Sequence, residues 1–226
     1  MSDWLDFFWR SIPVFLNGLW VTLELTAVGL IVGFGLGLAA ALGRVYGSPW
    51  VRRICIAYIE IFRGTPLLVQ LFLIYYGFPG IGITLSRMMS AYLTLGLNSG
   101  AYQAEYLRGA IMAVSEGQMM AGRSIGLSRL ASIRYVILPQ ALRLVIPSWS
   151  NEPILLLKST AVAFLIAVPD LMTKAKLIAA RTYDPIGTYL AVAVVYLVIV
   201  GLLNEVMKAL ERRLRIPGLE IESHKP

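Results

Sequence analysis

Charge is scarce in this chain: of 226 residues only 15% are Asp, Glu, Lys or Arg, against about 25% in an ordinary soluble domain. Cysteine occurs once, as Cys55, which excludes an internal disulfide framework and any cysteine-built metal cluster. Histidine also occurs once, as His224 near the carboxyl end, so a buried histidine serving as metal ligand, general base or proton relay is excluded. No Gly-Lys-Ser or Gly-Lys-Thr triplet is present, hence no phosphate-cradling P-loop; if the chain takes part in active transport, nucleotide hydrolysis falls to another subunit. The opening Met1-Ser2-Asp3-Trp4 carries an acid before any base, unlike the basic start of a cleavable signal peptide, and predicts insertion through the first helix.

What fills the chain is hydrocarbon. Hydrophobic residues make up 58% of it and the mean hydropathy is +0.71, more apolar surface than a globule of this size can hide from water. The expected fold class is therefore all-α, a polytopic membrane protein, and the gaps between charges locate its spans, each needing about 20 apolar residues. Nineteen uncharged residues separate Glu24 from Arg44, with apolar character reaching back to Ile12; 23 separate Arg63 from Arg87, with the apolar run starting near Ile54. Met88 to Val114 holds only Glu105 and Arg108, and Tyr135 to Leu157 only Arg143 and Glu152; 20 uncharged residues separate Asp184 from Glu205. Five spans result. One set of connections carries 11 Lys and Arg, the other five, which predicts the first set in the cytoplasm, the N-terminus outside and the C-terminus inside. In that setting the net charge of +7 marks cytoplasmic loops and no nucleic-acid partner.

Residues 1–226 read as one membrane domain, with a polar loop over 116–139 and a short cytoplasmic tail over 208–226. The loop predicts a short helix, a turn at Gly126-Leu127-Ser128 and a second helical stretch. Residues 169–182 predict an amphipathic helix at the outer surface, with Asp170 and Lys174 four apart. Gly29, Gly33, Gly37 and Ala41 form a stripe of small residues at four-residue spacing, which suits close helix packing better than conduction.

Several residues carry possible chemistry. Glu60 and Arg63 suit either an i,i+3 pair or a functional cluster beside Gly64-Thr65-Pro66, where proline breaks the helix. Asn98, Tyr102 and Glu105 fall on one helical face, able to meet the ammonium of a zwitterion; the competing reading pairs Glu105 with Arg108, and the cavity reading is favoured because Arg108 can reach the interface. Pro139, Pro147 and Pro153 interrupt the fourth span, and the breaks in transporter helices are where backbone groups are freed to hold substrate. Asn151 and Glu152 lie there, with Lys158 six residues on as a possible ion partner.

Together these segments resemble the permease subunits of binding-protein-dependent ABC importers, polar amino acid branch, over roughly residues 15–215. Phe62-Arg63-Gly64-Thr65-Pro66-Leu67 is similar to that family's second-span signature, Asn98 to Glu105 to its Asn-x-x-x-Tyr-x-x-Glu pattern, and residues 116–139 to its cytoplasmic coupling motif. Ser150-Asn151-Glu152, Ser159-Thr160-Ala161 and Val168-Pro169-Asp170-Leu171 are similar to the M-type subunit of histidine/lysine-arginine-ornithine and opine importers. The coupling motif departs in one place: Met120-Ala121-Gly122 stands where the family has Glu-Ala-Ala.

The resemblance implies the type I importer fold in a bacterial inner membrane, two ATPase subunits that bind ATP and Mg, a second permease subunit that is a different chain, and an external solute-binding protein. It implies alternating access for a polar, preferentially basic, amino acid or opine, with no catalytic or metal site in this chain. Thr65, Asn98, Tyr102, Glu105, Asn151 and Glu152 would bind substrate; Glu116, Gly117, Gln118, Met120, Ala121, Gly122 and Gly126 would couple to the ATPase. The competing classes are a stand-alone secondary transporter or channel, and an intramembrane enzyme. Neither inverted repeats nor a nucleophile–base pair is visible to support them.

Overall fold

The structure is a computed structural model that describes residues 2–214, with side chains from residue 11 onward. The part of the expected tail beyond Leu214, including His224, lies outside the described residues. Helix α1 (Ser2–Tyr46) runs the length of the bundle. Helix α2 (Pro49–Gly64) follows a turn, with the Ser48 side chain accepting from the Val51 N–H and Pro49 at a position that needs no amide hydrogen. Helix α3 (Leu67–Phe72) continues through a π turn (Leu73–Gly77) and a 3₁₀ turn (Phe78–Ile81). Helix α4 (Arg87–Ala113) begins at a Ser86 cap whose hydroxyl accepts from Met89.

Then come the short α5 (Glu116–Ser124) and α6 (Arg129–Ser132), the expected helix–turn–helix loop. A π turn (Ile133–Ile137) leads to α7 (Leu138–Leu144), α8 (Ile146–Trp149), α9 (Glu152–Ser159) and a 3₁₀ stretch (Thr160–Ile166). Helix α10 (Leu171–Thr182) crosses the opposite end, and α11 (Pro185–Leu214) returns.

Only α1 and α11 pass as long apolar spans by themselves. The second span is broken beside Pro66, as its proline predicts: α2 and the segment from Leu67 to Ile81 meet at 106°. Pro66 explains the corner, since its ring removes one amide donor and denies the preceding residue its helical conformation; Thr65 is extended (φ −113, ψ 143). The fourth span bends by 51° between α7 and α8. Each of its prolines leaves a mark one turn back or at its own start: the π turn ends two residues before Pro139, the bend precedes Pro147, and a break at Ser150-Asn151 precedes Pro153.

Helix α4 is the fifth span, about 40 Å long from its 27 residues. It is too polar to pass as a lipid-facing helix because it is the centre of the bundle, burying Ser90, Thr94, Ser99 and Gln103. The small-residue stripe explains how α1 reaches it. A Cβ on Gly37 would lie 3.0 Å from the Ala104 nitrogen and from the Gly100 oxygen, and one on Gly33 would lie 2.7 Å from Gln103 Nε2. Helix backbones in contact at that distance leave no space for a side chain, so the stripe packs this chain against itself.

Candidate functional site

The polar groups expected to converge on one cavity divide instead into three separate clusters. At the corner of the second span, the side chains of Gln70 and Asn98 meet the backbone carbonyls that Pro66 leaves free. Gln70 Nε2 donates to Phe62 O at 2.8 Å, Thr65 O at 3.0 Å and Thr65 Oγ1 at 2.9 Å. Asn98 Nδ2 donates to Phe62 O and to Gln70 Oε1, each at 3.1 Å. Asn98, placed among the substrate ligands from its helical face, thus holds the corner of its neighbour. Thr65 is exposed, and its hydroxyl donates to Ile61 O at 2.7 Å.

Tyr102 and Glu105 do share the face of Asn98, but meet different partners. The Arg63 guanidinium lies 5.3 Å from the Tyr102 ring centre, a cation–π contact in place of a Glu60–Arg63 pair. Glu105 forms ion pairs with Arg44 and with Arg108, the latter at 2.8 Å. The Arg108 pairing set aside in favour of a cavity is therefore formed, and Arg44, 61 residues away, is added to it. A carboxylate between two guanidiniums is already neutralised; the triad bolts the end of α1 to α4.

The third cluster is the most enclosed. Ser99 Oγ donates to Glu152 Oε1 at 2.6 Å, Gln103 Nε2 donates to Ser99 Oγ at 2.9 Å, and Trp149 Nε1 donates to Gln103 Oε1 at 2.8 Å. Glu152 is only 4% exposed and the Tyr106 hydroxyl adjoins it. The relay ties Glu152 and the broken fourth span to α4 through Ser99, Gln103 and Trp149, which the sequence did not single out. Gln103 and Ser99 carry a weak signal, polar residues within a span, but nothing in sequence says that they meet Trp149 and Glu152. Lys158 is not the partner of Glu152; it points out from a different face of α9 and is exposed, as is Asn151.

The loop end is built differently. Gly126 has φ +87, a left-handed turn that favours glycine. Gly122 is buried because a Cβ there would sit 2.9 Å from Ser132 Oγ on α6. Gln118 accepts from Gln140 at 3.2 Å, and Arg129 donates to Tyr46 O at 3.4 Å, tying the loop to α7 and to the end of α1. Glu116, Gly117, Gln118, Met120, Ala121 and Gly126 are exposed. So are Met120 (65%), Ile125 (79%) and Leu130 (74%), a cluster of large apolar side chains on an otherwise polar loop. Among the described residues no group of three His, Cys, Asp or Glu side chains is placed to hold a metal.

Comparison with known proteins gives these features a context. Residues 33–216 match the family described as binding-protein-dependent transport system inner membrane component. The chain is 37% identical over 216 residues to the glutamine transport system permease protein GlnP of Escherichia coli, covering 95% of this chain and 98% of that one. It is 41% identical over 208 residues to the L-cystine transport system permease protein TcyB of Bacillus subtilis, covering 92% and 88%. Among solved structures, an amino acid ABC transporter with histidines superposes with a TM-score of 0.85 at 36% identity, over 94% of this chain and 99% of the other. The inward-facing methionine transporter MetNI, at 20% identity and a TM-score of 0.75 over 92% and 99%, shares the fold.

Proposed function

Because the chain belongs to the binding-protein-dependent transport system inner membrane component family, we propose that it is the membrane-spanning permease subunit of an ATP-driven amino acid importer. The observation that carries the coupling part of this reading is the loop around Gly126. A two-helix unit that is braced from behind by Gln140 and Tyr46 and presents Met120, Ile125 and Leu130 outward is shaped to dock on a protein in the aqueous phase. The occupant is the cytoplasmic ATPase, of which two copies bind ATP and Mg. Glu116, Gly117, Gln118, Met120 and Ala121 form the seat, which buried Gly122 and the turn at Gly126 hold in shape, with Met120 supplying an apolar contact in place of the family's carboxylate.

The rest of the assembly is a second permease subunit, a different chain, and an external solute-binding protein, in a bacterial inner membrane. Relatives named for glutamine and cystine support a polar amino acid as cargo. The basic preference expected from two intramembrane acids loses its footing, because Glu105 is held by two arginines and Glu152 by Ser99. Nucleotide closure of the ATPase pair would drive the α5–α6 loops together and reopen the permease pair on the other side; the corners at Pro66 and at Val145 are the places where the spans can flex.

The test is affinity capture of the tagged chain from mildly solubilised native membranes, followed by reconstitution. Co-purification of an ATPase in stoichiometric amount and ATP-dependent uptake of an amino acid are expected. Recovery of the chain alone, with uptake driven by an ion gradient, would favour a stand-alone carrier.

A further inference from the structure

In the first turn of α2 the Arg53 guanidinium lies 5.3 Å from the ring centre of Trp50, a cation–π contact on an open surface. Trp50 is 72% exposed, and Arg52 and Arg53 are exposed beside it. Helix α2 and the segment after Pro66 make one broken span, so this first turn stands where the span meets the membrane surface. An indole suits that level, with its ring against hydrocarbon and its N–H among polar groups.

The helix carries an apolar track away from that ring. At 100° per residue Trp50, Ile54, Ala57 and Ile61 fall within about 60° of one another, and all four are exposed. Around the ring itself the charge is of one sign. Arg129 reaches the α1–α2 turn from α6, donating to Tyr46 O at 3.4 Å with its guanidinium 5.8 Å from the Tyr46 ring centre. Arg52, Arg53 and Arg129 take part in no ion pair among the described residues, whereas Arg44 nearby is held by Glu105. Glu60, the one acid of α2, stands seven residues past Arg53, about 10 Å along the axis, and is not paired with it.

Uncompensated guanidiniums at the head of an apolar track match one kind of molecule, an amphiphile with an anionic head. We propose that Trp50, Arg52 and Arg53 form a binding site for an anionic phospholipid, its phosphate held by the two guanidiniums and one acyl chain lying along Ile54, Ala57 and Ile61. The planar guanidinium offers paired N–H groups that match phosphate oxygens, and the Trp50 ring keeps that of Arg53 at headgroup level. Arg129 strengthens the positive field at the turn without being needed as a ligand. The site requires a lipid surface and nothing of the ATPase or the cargo, so it stands apart from the importer reading.

The test uses the tagged chain purified with whatever subunits accompany it and reconstituted into phosphatidylcholine vesicles. A rising share of the lipid is replaced by dibrominated phosphatidylglycerol or, in parallel, by dibrominated phosphatidylcholine. Bromine quenches an indole it touches, and the Trp50 signal is the part of the fluorescence that Trp50→Phe removes. Half-maximal quenching of Trp50 is expected at a share of the anionic lipid about fivefold or more below that of the zwitterionic one, a gap that added salt narrows. With Arg52→Gln and Arg53→Gln combined the two lipids should quench alike, and with Arg52→Lys and Arg53→Lys combined the preference should persist. Equal quenching in the wild type overturns the assignment with no variant needed. A Trp50 signal that neither lipid quenches would overturn it too, by showing this face covered by a protein subunit. Unchanged preference in the glutamine pair would assign the effect to the general charge of this end of the bundle, and not to these two arginines.

Discussion

Glu105 shows how a single charge can be misplaced when only its own helix is considered. A carboxylate inside a span has to be compensated, and within α4 the available partner is Arg108; Arg44 is invisible because it lies on a helix that only the tertiary fold brings alongside. Both arginines are partly buried, at 23% and 28% exposure, so removing the acid leaves two like charges facing each other. We expect Glu105→Gln to destabilise the purified complex by roughly 1–3 kcal/mol, read as a lower unfolding temperature. Arg44→Gln added to it should cost less than it does alone, and additive losses in that cycle would show the triad to be energetically idle. A second test at this scale concerns Asp170, which caps α10 by accepting from the Thr173 N–H at 2.8 Å, yet is fully buried with Oδ2 unpartnered. Burial pushes its carboxyl above the ordinary 3.8, against the pull of the Thr173 and Met172 amides. For a carboxyl raised by folding, the favourable contribution is full below its ordinary value and is lost as pH rises through the folded value. Asp170→Asn keeps an N-cap residue and removes the titration. Its unfolding temperature should therefore gain on the wild type as the pH is raised from acid to neutral. Parallel pH profiles for the two proteins would rule that out.

At the scale of elements, α5 and α6 were legible in the sequence because their signals are local: a polar, glycine-punctuated stretch between two apolar runs, with Gly126 at the turn. The breaks at Pro66 and Pro147 were legible for the same reason, since a missing amide acts at its own position. The 106° corner was not, because its angle depends on Gln70 and Asn98 arriving from elsewhere to satisfy the Phe62 and Thr65 carbonyls. Helix α10 lay between these cases. Its helicity was evident, but Asp170 turned out to be its buried cap and not a surface partner of Lys174, and Leu171, Ala175 and Ile178 pack against Phe15 of α1. Two glycines separate local from tertiary requirements experimentally. Gly126→Val places a branched residue at φ +87, a strain of roughly 1–2 kcal/mol confined to the turn; we expect the permease to remain folded while ATPase retention and ATP-dependent uptake fall together. Gly37→Val instead drives side-chain carbons into the backbone of Gly100 and Ala104, which cannot yield as a side chain would. Loss of the folded permease itself, seen as failure to elute as a discrete species from size-exclusion chromatography, is the expected result. Were Gly37→Val to fold and Gly126→Val not, the division between packing stripe and coupling turn would have to be reversed.

For the whole molecule, the bundle is incomplete as a single chain. Helix α11 leaves Leu197, Val198, Leu202 and Val206 more than half exposed, and α3 with its continuation leaves Leu73, Tyr76 and Ile81 so. The first set runs along one apolar helix and suits acyl chains; the second follows directly on the Pro66 corner and suits the permease partner. Orientation then decides which way cargo moves. The 11-to-five distribution of Lys and Arg predicts the α5–α6 loop in the cytoplasm and α10 outside, and two exposed positions at opposite ends of the bundle can report it. Tyr183, 91% exposed after α10, and Met120, 65% exposed on α5, each become the single reactive thiol once Cys55 is replaced by serine. In intact cells a membrane-impermeant maleimide is expected to label Tyr183→Cys and to spare Met120→Cys, and permeabilisation should expose the second site. The reverse pattern would put α5 and α6 outside, beyond reach of any cytoplasmic ATPase. The coupling reading would then fail as a whole, whatever the individual variants of the loop had shown.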